Sequence, residues 1–168
     1  MNSPSAVCDA KTLPVFDYCV QKAIKKVLFV CTGNTCRSPM AAAWLNHYGK
    51  ESGICASSAG LFPVPGQKIS PNAVSALNNA GIPAAEDNRY DLHEAVRITA
   101  EMIEGCDAVI GISRSHTMNL ICEFPIYASK IACMPSDISD PYGGSLEDYE
   151  ICLSLIADAV KELFKLDV

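Results

Sequence analysis

The chain has 168 residues, 49% of them apolar and 19% charged, with a net charge of −6. That length fits one domain around one core, and the apolar content excludes an intrinsically disordered chain. The excess of 19 acidic over 13 basic side chains argues against a nucleic-acid or anionic-membrane partner, since both need clustered Lys and Arg.

No apolar run approaches the ~18 residues of a membrane span, and no basic stretch followed by an apolar one opens the chain, so no signal peptide is expected. The nine cysteines are an odd set. Most sit in apolar segments (Cys55, Cys106, Cys122, Cys133, Cys152), where free cysteine is expected to act as a small buried hydrophobe. There is no C-x2-C pair, and His47, His93 and His116 are scattered, so neither a metal site nor a cofactor is expected. This cysteine usage suits a reducing compartment, the cytoplasm.

Residues 1–25 read as an N-terminal extension. Pro4 and Pro14 make its first part irregular, and Phe16, Val20 and Ile24 at i, i+4, i+8 suggest a short helix over 15–25. From Lys26 the pattern sharpens. Val27-Leu28-Phe29-Val30 is a continuous apolar run, as in a strand buried on both faces. A polar segment, Cys31 to Arg37, leads into a helix with Pro39 in its first turn, apolar positions at Met40/Ala41, Trp44/Leu45 and Tyr48, and a stop at Gly49.

Residues 54–59 predict a second strand, and Ser70-Pro71 an N-cap and first turn, with Gly81 as the stop. Thr99 caps a short helix. Ala108 to Ile112 is a third strand, 115–122 a helix, and Lys130 to Cys133 a fourth strand. Ser145 caps the last helix, whose apolar stripe runs Tyr149, Cys152/Leu153, Ile156, Val160, Leu163/Phe164. Strands alternating with helices predict an α/β three-layer sandwich, a four-stranded parallel sheet with helices on both faces, over 26–168. Sites in such folds form beyond the carboxyl ends of the strands.

Cys31-Thr32-Gly33-Asn34-Thr35-Cys36-Arg37 occupies that place, with the form C-x5-R. Gly33 and Asn34 are the residues that most readily take left-handed backbone angles, so the loop can turn successive N–H groups inward as an anion nest. Arg37 opens a helix, whose N-terminus adds partial positive charge, and its guanidinium can grip two phosphate oxygens. The same field favours thiolate over thiol at Cys31, with the Ser38 hydroxyl as a further donor. Cys31 is thus a candidate nucleophile on phosphorus. A general acid must come from another loop at the same edge. Asp137 and Asp140 are the candidates, and Asp140 is held extended by Pro141, followed by Tyr142 as an aromatic wall and Gly143-Gly144.

Val30-Cys31-Thr32-Gly33-Asn34-Thr35-Cys36-Arg37-Ser38-Pro39-Met40-Ala41 resembles the phosphate-binding signature of the low-molecular-weight protein tyrosine phosphatase family. Ser58-Ala59-Gly60, the Ser70-Pro71 helix, Arg114-Ser115-His116 and Asp140-Pro141-Tyr142-Gly143-Gly144 follow in that family's order. The resemblance implies Cys31 as nucleophile, Arg37 as phosphate clamp, Asp140 as general acid, and Asn34, Ser38, Ser58 and His93 as a network supporting the loop. It also implies that Cys36 can bond to an oxidised Cys31 and protect it. His47 and His116 receive no role, His116 being read as part of a surface helix start.

Thr35 bears on the substrate. Tyrosine-specific members of that family tend to carry a bulky aliphatic residue there, whereas bacterial members with Thr resemble protein arginine phosphatases. A short hydroxyl suits a polar guanidinium better than a phenyl ring, so phosphoarginine is favoured over phosphotyrosine, with Tyr142 and Phe62 as wall candidates. The expected partner is a phosphorylated protein or peptide, and the expected state a monomer. Arsenate reductase of the thioredoxin-linked type needs two more cysteines seven apart, which Cys106, Cys122 and Cys133 do not supply. A non-catalytic phosphoprotein-binding module is disfavoured by the intact Cys31, Arg37 and Asp140.

Overall fold

A computed structural model describes residues 24–168. The helix expected over 15–25 falls outside the described residues except for Ile24 and Lys25, which precede the first strand without helical structure. Four strands, β1 (Lys26–Cys31), β2 (Cys55–Gly60), β3 (Ala108–Gly111) and β4 (Ile131–Cys133), form one parallel sheet in the order β2-β1-β3-β4. The helices are α1 (Arg37–Tyr48), α2 (Pro71–Asn79), α3 (Ala100–Glu104), α4 (Arg114–Glu123) and α5 (Leu146–Phe164).

β1 is central, and its continuous apolar run follows from burial on both faces. Val27, Phe29 and Cys31 join the core under α1, α2 and α5, whereas Leu28 and Val30 join the core under α3 and α4. The period of two in a strand thus divides one run between two cores. The order places β2 on one side of β1 and β3 on the other, so the chain reverses its direction of travel across the sheet beside β1. That is the switch point where α/β sheets open a crevice at their carboxyl edge. Cys31 ends β1 at this point.

Several local expectations take a different form. The first nine residues of α1 are buried all round, because β2, α2 and α5 enclose the helix. Ser70 sits at the N-cap of α2, but its hydroxyl makes no cap bond there and donates instead to Tyr149 Oη at 3.0 Å. Ser145 does cap α5, in a reciprocal capping box with Asp148. Of the cysteines expected to be buried, Cys55 and Cys122 are exposed, Cys106 and Cys133 half-buried, and only Cys152 is enclosed. Cys55 opens edge strand β2 and Cys122 lies near the end of α4, so both occupy apolar sequence at the rim of the fold.

Gly60 links fold to site. A Cβ there would come within 2.8 Å of the Thr32 carbonyl oxygen and 3.1 Å of Asn34 Cβ. Only glycine lets the end of β2 abut the loop that follows β1. Among the described residues no helix is long and apolar enough to cross a membrane.

Candidate active site

The loop after Cys31 makes one tight turn before α1 begins at Arg37. Of the two residues expected to take left-handed angles, Asn34 does so, with φ of 57°, and Gly33 does not. The turn falls on Asn34 because its side chain is needed inside. Its Nδ2 donates to Ser38 Oγ at 3.0 Å and to Ser58 Oγ at 2.9 Å, and its Oδ1 accepts from Val96 N at 3.0 Å. Its backbone carbonyl accepts from His93 Nε2 at 2.8 Å. A carbonyl can only accept, so this contact fixes the proton on Nε2 of His93. Burial moves His93 below its ordinary pKa, while the Asn34 bond and Glu94 pull the other way.

Cys31 Sγ lies in this network. Ser38 Oγ is 3.0 Å away, and the backbone N–H of Asn34 donates to the sulfur at 3.3 Å. Asn34 Nδ2 donates into the Ser38 oxygen, and the single Ser38 proton has two acceptors within reach, the Ala59 carbonyl at 3.3 Å and the Cys31 sulfur, of which a thiolate is the stronger. Cys36, the N-cap of α1, makes no side-chain cap bond, so the first N–H groups of the helix stay available to an anion.

Arg37 is 7% exposed. One terminal nitrogen donates to the Ile138 carbonyl at 3.2 Å and the other meets Asp140 Oδ2 at 2.6 Å. Its Nε is buried without a hydrogen-bond partner among the described residues. A buried guanidinium N–H left in this way calls for an acceptor, and an oxygen of an anion seated in the loop has the chemistry to be one. The ion pair also brings Asp140 over the same cleft. Asp137, the alternative acid, accepts from the backbone N–H of Arg114 at 2.7 Å and does not line the cleft.

The cleft measures about 200 Å³. Cys31 to Arg37 form its floor, Phe62, Val64, Gln67 and Tyr142 its walls, and Asp140 its rim. Thr35, 5% exposed, belongs to the floor. Cys36 Sγ lies 3.3 Å from Tyr149 Oη, which in turn accepts from Ser70 Oγ. Burial first, then the Cys36 contact, hold the Tyr149 phenol up at about 12, so it remains protonated beside the sulfur. Burial likewise raises the Cys36 thiol. Among the described residues no group of three His, Cys, Asp or Glu side chains converges as a metal site.

The structure therefore brings together Cys31, Thr32, Gly33, Asn34, Thr35, Cys36, Arg37, Ser38, Ser58, Phe62, His93, Asp140 and Tyr142. His47 lies on the far half of α1, against Tyr48. His116 is not on a surface: it is 4% exposed, and its Nε2 meets Thr32 Oγ1 at 2.9 Å. The N-cap bond of Ser113 turns the first turn of α4 inward and carries His116 with it. Val64 and Gln67, in a Pro- and Gly-rich loop, also escaped the sequence reading, because no spacing rule ties them to the phosphate loop.

A model of the low molecular weight phosphotyrosine protein phosphatase family matches residues 26–166. A protein-arginine-phosphatase of Bacillus subtilis (strain 168) is 31% identical over 148 residues, 83% of this chain and 94% of the relative. The low molecular weight protein-tyrosine-phosphatase PtpB of Staphylococcus epidermidis (strain ATCC 12228 / FDA PCI 1200) is 32% identical over 146 residues, 82% of this chain and 96% of the relative. Among solved structures, YwlE arginine phosphatase from Geobacillus stearothermophilus superposes with a TM-score of 0.75 at 32% identity, covering 84% of this chain and 91% of that one. On the match over 26–166 and these relatives, the chain belongs to the low molecular weight phosphotyrosine protein phosphatase family of cysteine-dependent protein phosphatases.

Proposed function

We propose that this chain removes phosphoryl groups from protein side chains, phosphoarginine ahead of phosphotyrosine, with Cys31 as nucleophile and Asp140 as general acid. The observation that carries the reading is the Cys31 sulfur between the Ser38 and Asn34 donors, under a cleft that Arg37 and Asp140 share. A phosphoryl dianion enters the loop and takes the free Nε–H of Arg37, which loosens the guanidinium from Asp140. Freed from the guanidinium, the Asp140 carboxylate takes up a proton from solvent; the Cys31 thiolate attacks phosphorus in line, the bond from phosphorus to the side chain breaks, and Asp140 delivers that proton to the departing nitrogen or oxygen. Asp140, now a carboxylate, takes a proton from the water that cleaves the cysteinyl phosphate, and inorganic phosphate leaves.

The preference for phosphoarginine rests on Thr35 in the floor and on Gln67 among the walls, both able to face a polar guanidinium. One observation favours the tyrosine reading: the aromatic rings of Phe62 and Tyr142 are among the residues that line the cleft. Such rings stack on a phenyl ring, but they stack on a planar guanidinium as well.

Cys36 supplies redox protection in this reading. Peroxide converts the Cys31 thiolate to a sulfenic acid, and the Cys36 thiol attacks that sulfur, forming a Cys31–Cys36 disulfide and releasing water. A dithiol reverses it.

Three outcomes are expected. Asp140→Asn should lower kcat by about 10²–10⁴ on substrates with poor leaving groups and less on activated aryl phosphates, while Asp137→Asn should retain most activity. The reverse pattern would reassign the acid. Thr35→Ile should move the ratio of the kcat/KM values for phosphoarginine and phosphotyrosine peptides toward tyrosine by at least about tenfold. A wild type that already prefers phosphotyrosine, or a ratio that stays put, would make Thr35 neutral to substrate choice. Mass spectrometry after mild peroxide should find the Cys31–Cys36 link, and Cys36→Ser should make inactivation less reversible by dithiol. Finding no such link would reduce Cys36 to packing.

A further inference from the structure

The mechanism above leaves His116 unused, although it is buried against the phosphate loop. It lies in the first turn of α4, with Nε2 at 2.9 Å from Thr32 Oγ1 and Nδ1 at 2.8 Å from Ser113 Oγ. A neutral imidazole has one donor and one acceptor nitrogen, and a hydroxyl at each end can complement either. The chain Ser113–His116–Thr32 is therefore satisfied whichever nitrogen holds the proton. Burial first and the Arg37 charge second hold His116 down at about 4, against the pull of Asp140 and Asp137, so the ring is neutral at pH 7.

Thr32 directly follows the nucleophile. Its carbonyl accepts from Phe62 N at 2.9 Å, and its hydroxyl meets His116. The Asn34 end of the loop is anchored separately, by Ser58, Val96 and His93. The first turn of α4 also reaches the acid loop, because Arg114 N donates to Asp137 Oδ1 at 2.7 Å. One helical turn thus touches both the start of the phosphate loop and the segment that leads to Asp140.

We infer that His116 is a positioning residue: through Thr32 it fixes the start of the phosphate loop, so that the loop donors and Asp140 meet the same phosphoryl group. This rests on the phosphatase reading for its effect on turnover, but not for its effect on anion binding. Thr32 is exposed, and removing its hydroxyl leaves the core intact. His116 acts through Thr32, so the two side chains should behave as one unit.

The test is a double-mutant cycle of Thr32→Val, His116→Gln, His116→Ala and Thr32→Val with His116→Ala. The readouts are kcat on an aryl phosphate, inorganic phosphate affinity by equilibrium titration, and the thermal midpoint. Thr32→Val should weaken phosphate affinity by about three- to tenfold and lower kcat by about tenfold, with the midpoint unchanged. His116→Ala should show the same losses together with a lower midpoint, and the double variant should be no worse than His116→Ala in kcat or phosphate affinity. His116→Gln, whose amide keeps a donor and an acceptor, should recover most of both. If His116→Ala does not fold, the cycle is closed with Thr32→Val on His116→Gln, where the valine should erase the recovery. A Thr32→Val enzyme with wild-type phosphate affinity and kcat, or losses that multiply in the double variant, would overturn the inference and leave His116 as packing. Phosphate affinity is read without turnover, so a wild type inert on phosphoesters would defeat the phosphatase reading while this cycle still reports on His116.

Discussion

A loop that aims its N–H groups at one point gives up the pairing that holds ordinary loops together, and something else must hold it. Here that is the Asn34 side chain, fully buried at the left-handed turn. Both amide protons are used, on Ser38 and Ser58, its oxygen takes the Val96 N–H, and its backbone carbonyl takes His93. Leaving one such buried group unpaired costs about 1–3 kcal/mol, so the arrangement is close to all-or-none. β1, β2 and the segment before α3 therefore meet at one side chain. Gly60 allows the meeting by letting β2 end against the loop.

That frame settles the electrostatics. Asn34 donates into Ser38, whose hydroxyl lies between the Ala59 carbonyl and Cys31, and the Asn34 N–H donates to the sulfur directly. Arg37 enters from the first turn of α1 with its Nε unsatisfied and its far edge on Asp140. Arg37 and Asp140 are thus coupled to each other at the mouth of the cleft, and under the proposed mechanism a phosphoryl dianion competes with Asp140 for the guanidinium. The Tyr149–Cys36 contact, backed by Ser70, fixes the loop's second sulfur from the opposite side, through α5.

Much of this was legible in the chain. The apolar run before Cys31, the C-x5-R spacing and the Asp140-Pro141 turn follow rules that act over a few residues, and each points to its place at the sheet edge. What escaped depends on partners far apart in sequence. Ser70 reads as a cap, yet Tyr149 lies within reach and captures its hydroxyl. His116 reads as a surface residue because α4 shows no sequence sign that its first turn faces Thr32. The left-handed turn could fall on Gly33 or Asn34, and only the tertiary partners of the amide choose Asn34. Cys55 and Cys122 show that apolar neighbours in sequence do not ensure burial at a strand edge or helix end. Val64 and Gln67 reach the cleft because the 61–69 loop folds back over it, bonding to the Cys31 and Thr32 carbonyls through Leu61 N and Phe62 N.

The most direct measurement is rapid acid quench of the enzyme during turnover of an aryl phosphate, followed by mass spectrometry of its peptides. A phosphoryl group on Cys31 should accumulate within the first turnovers, and it should be absent, with loss of turnover, in Cys31→Ser. A phosphoryl group on any other side chain, or steady hydrolysis by Cys31→Ser, would contradict the assignment of Cys31 as nucleophile.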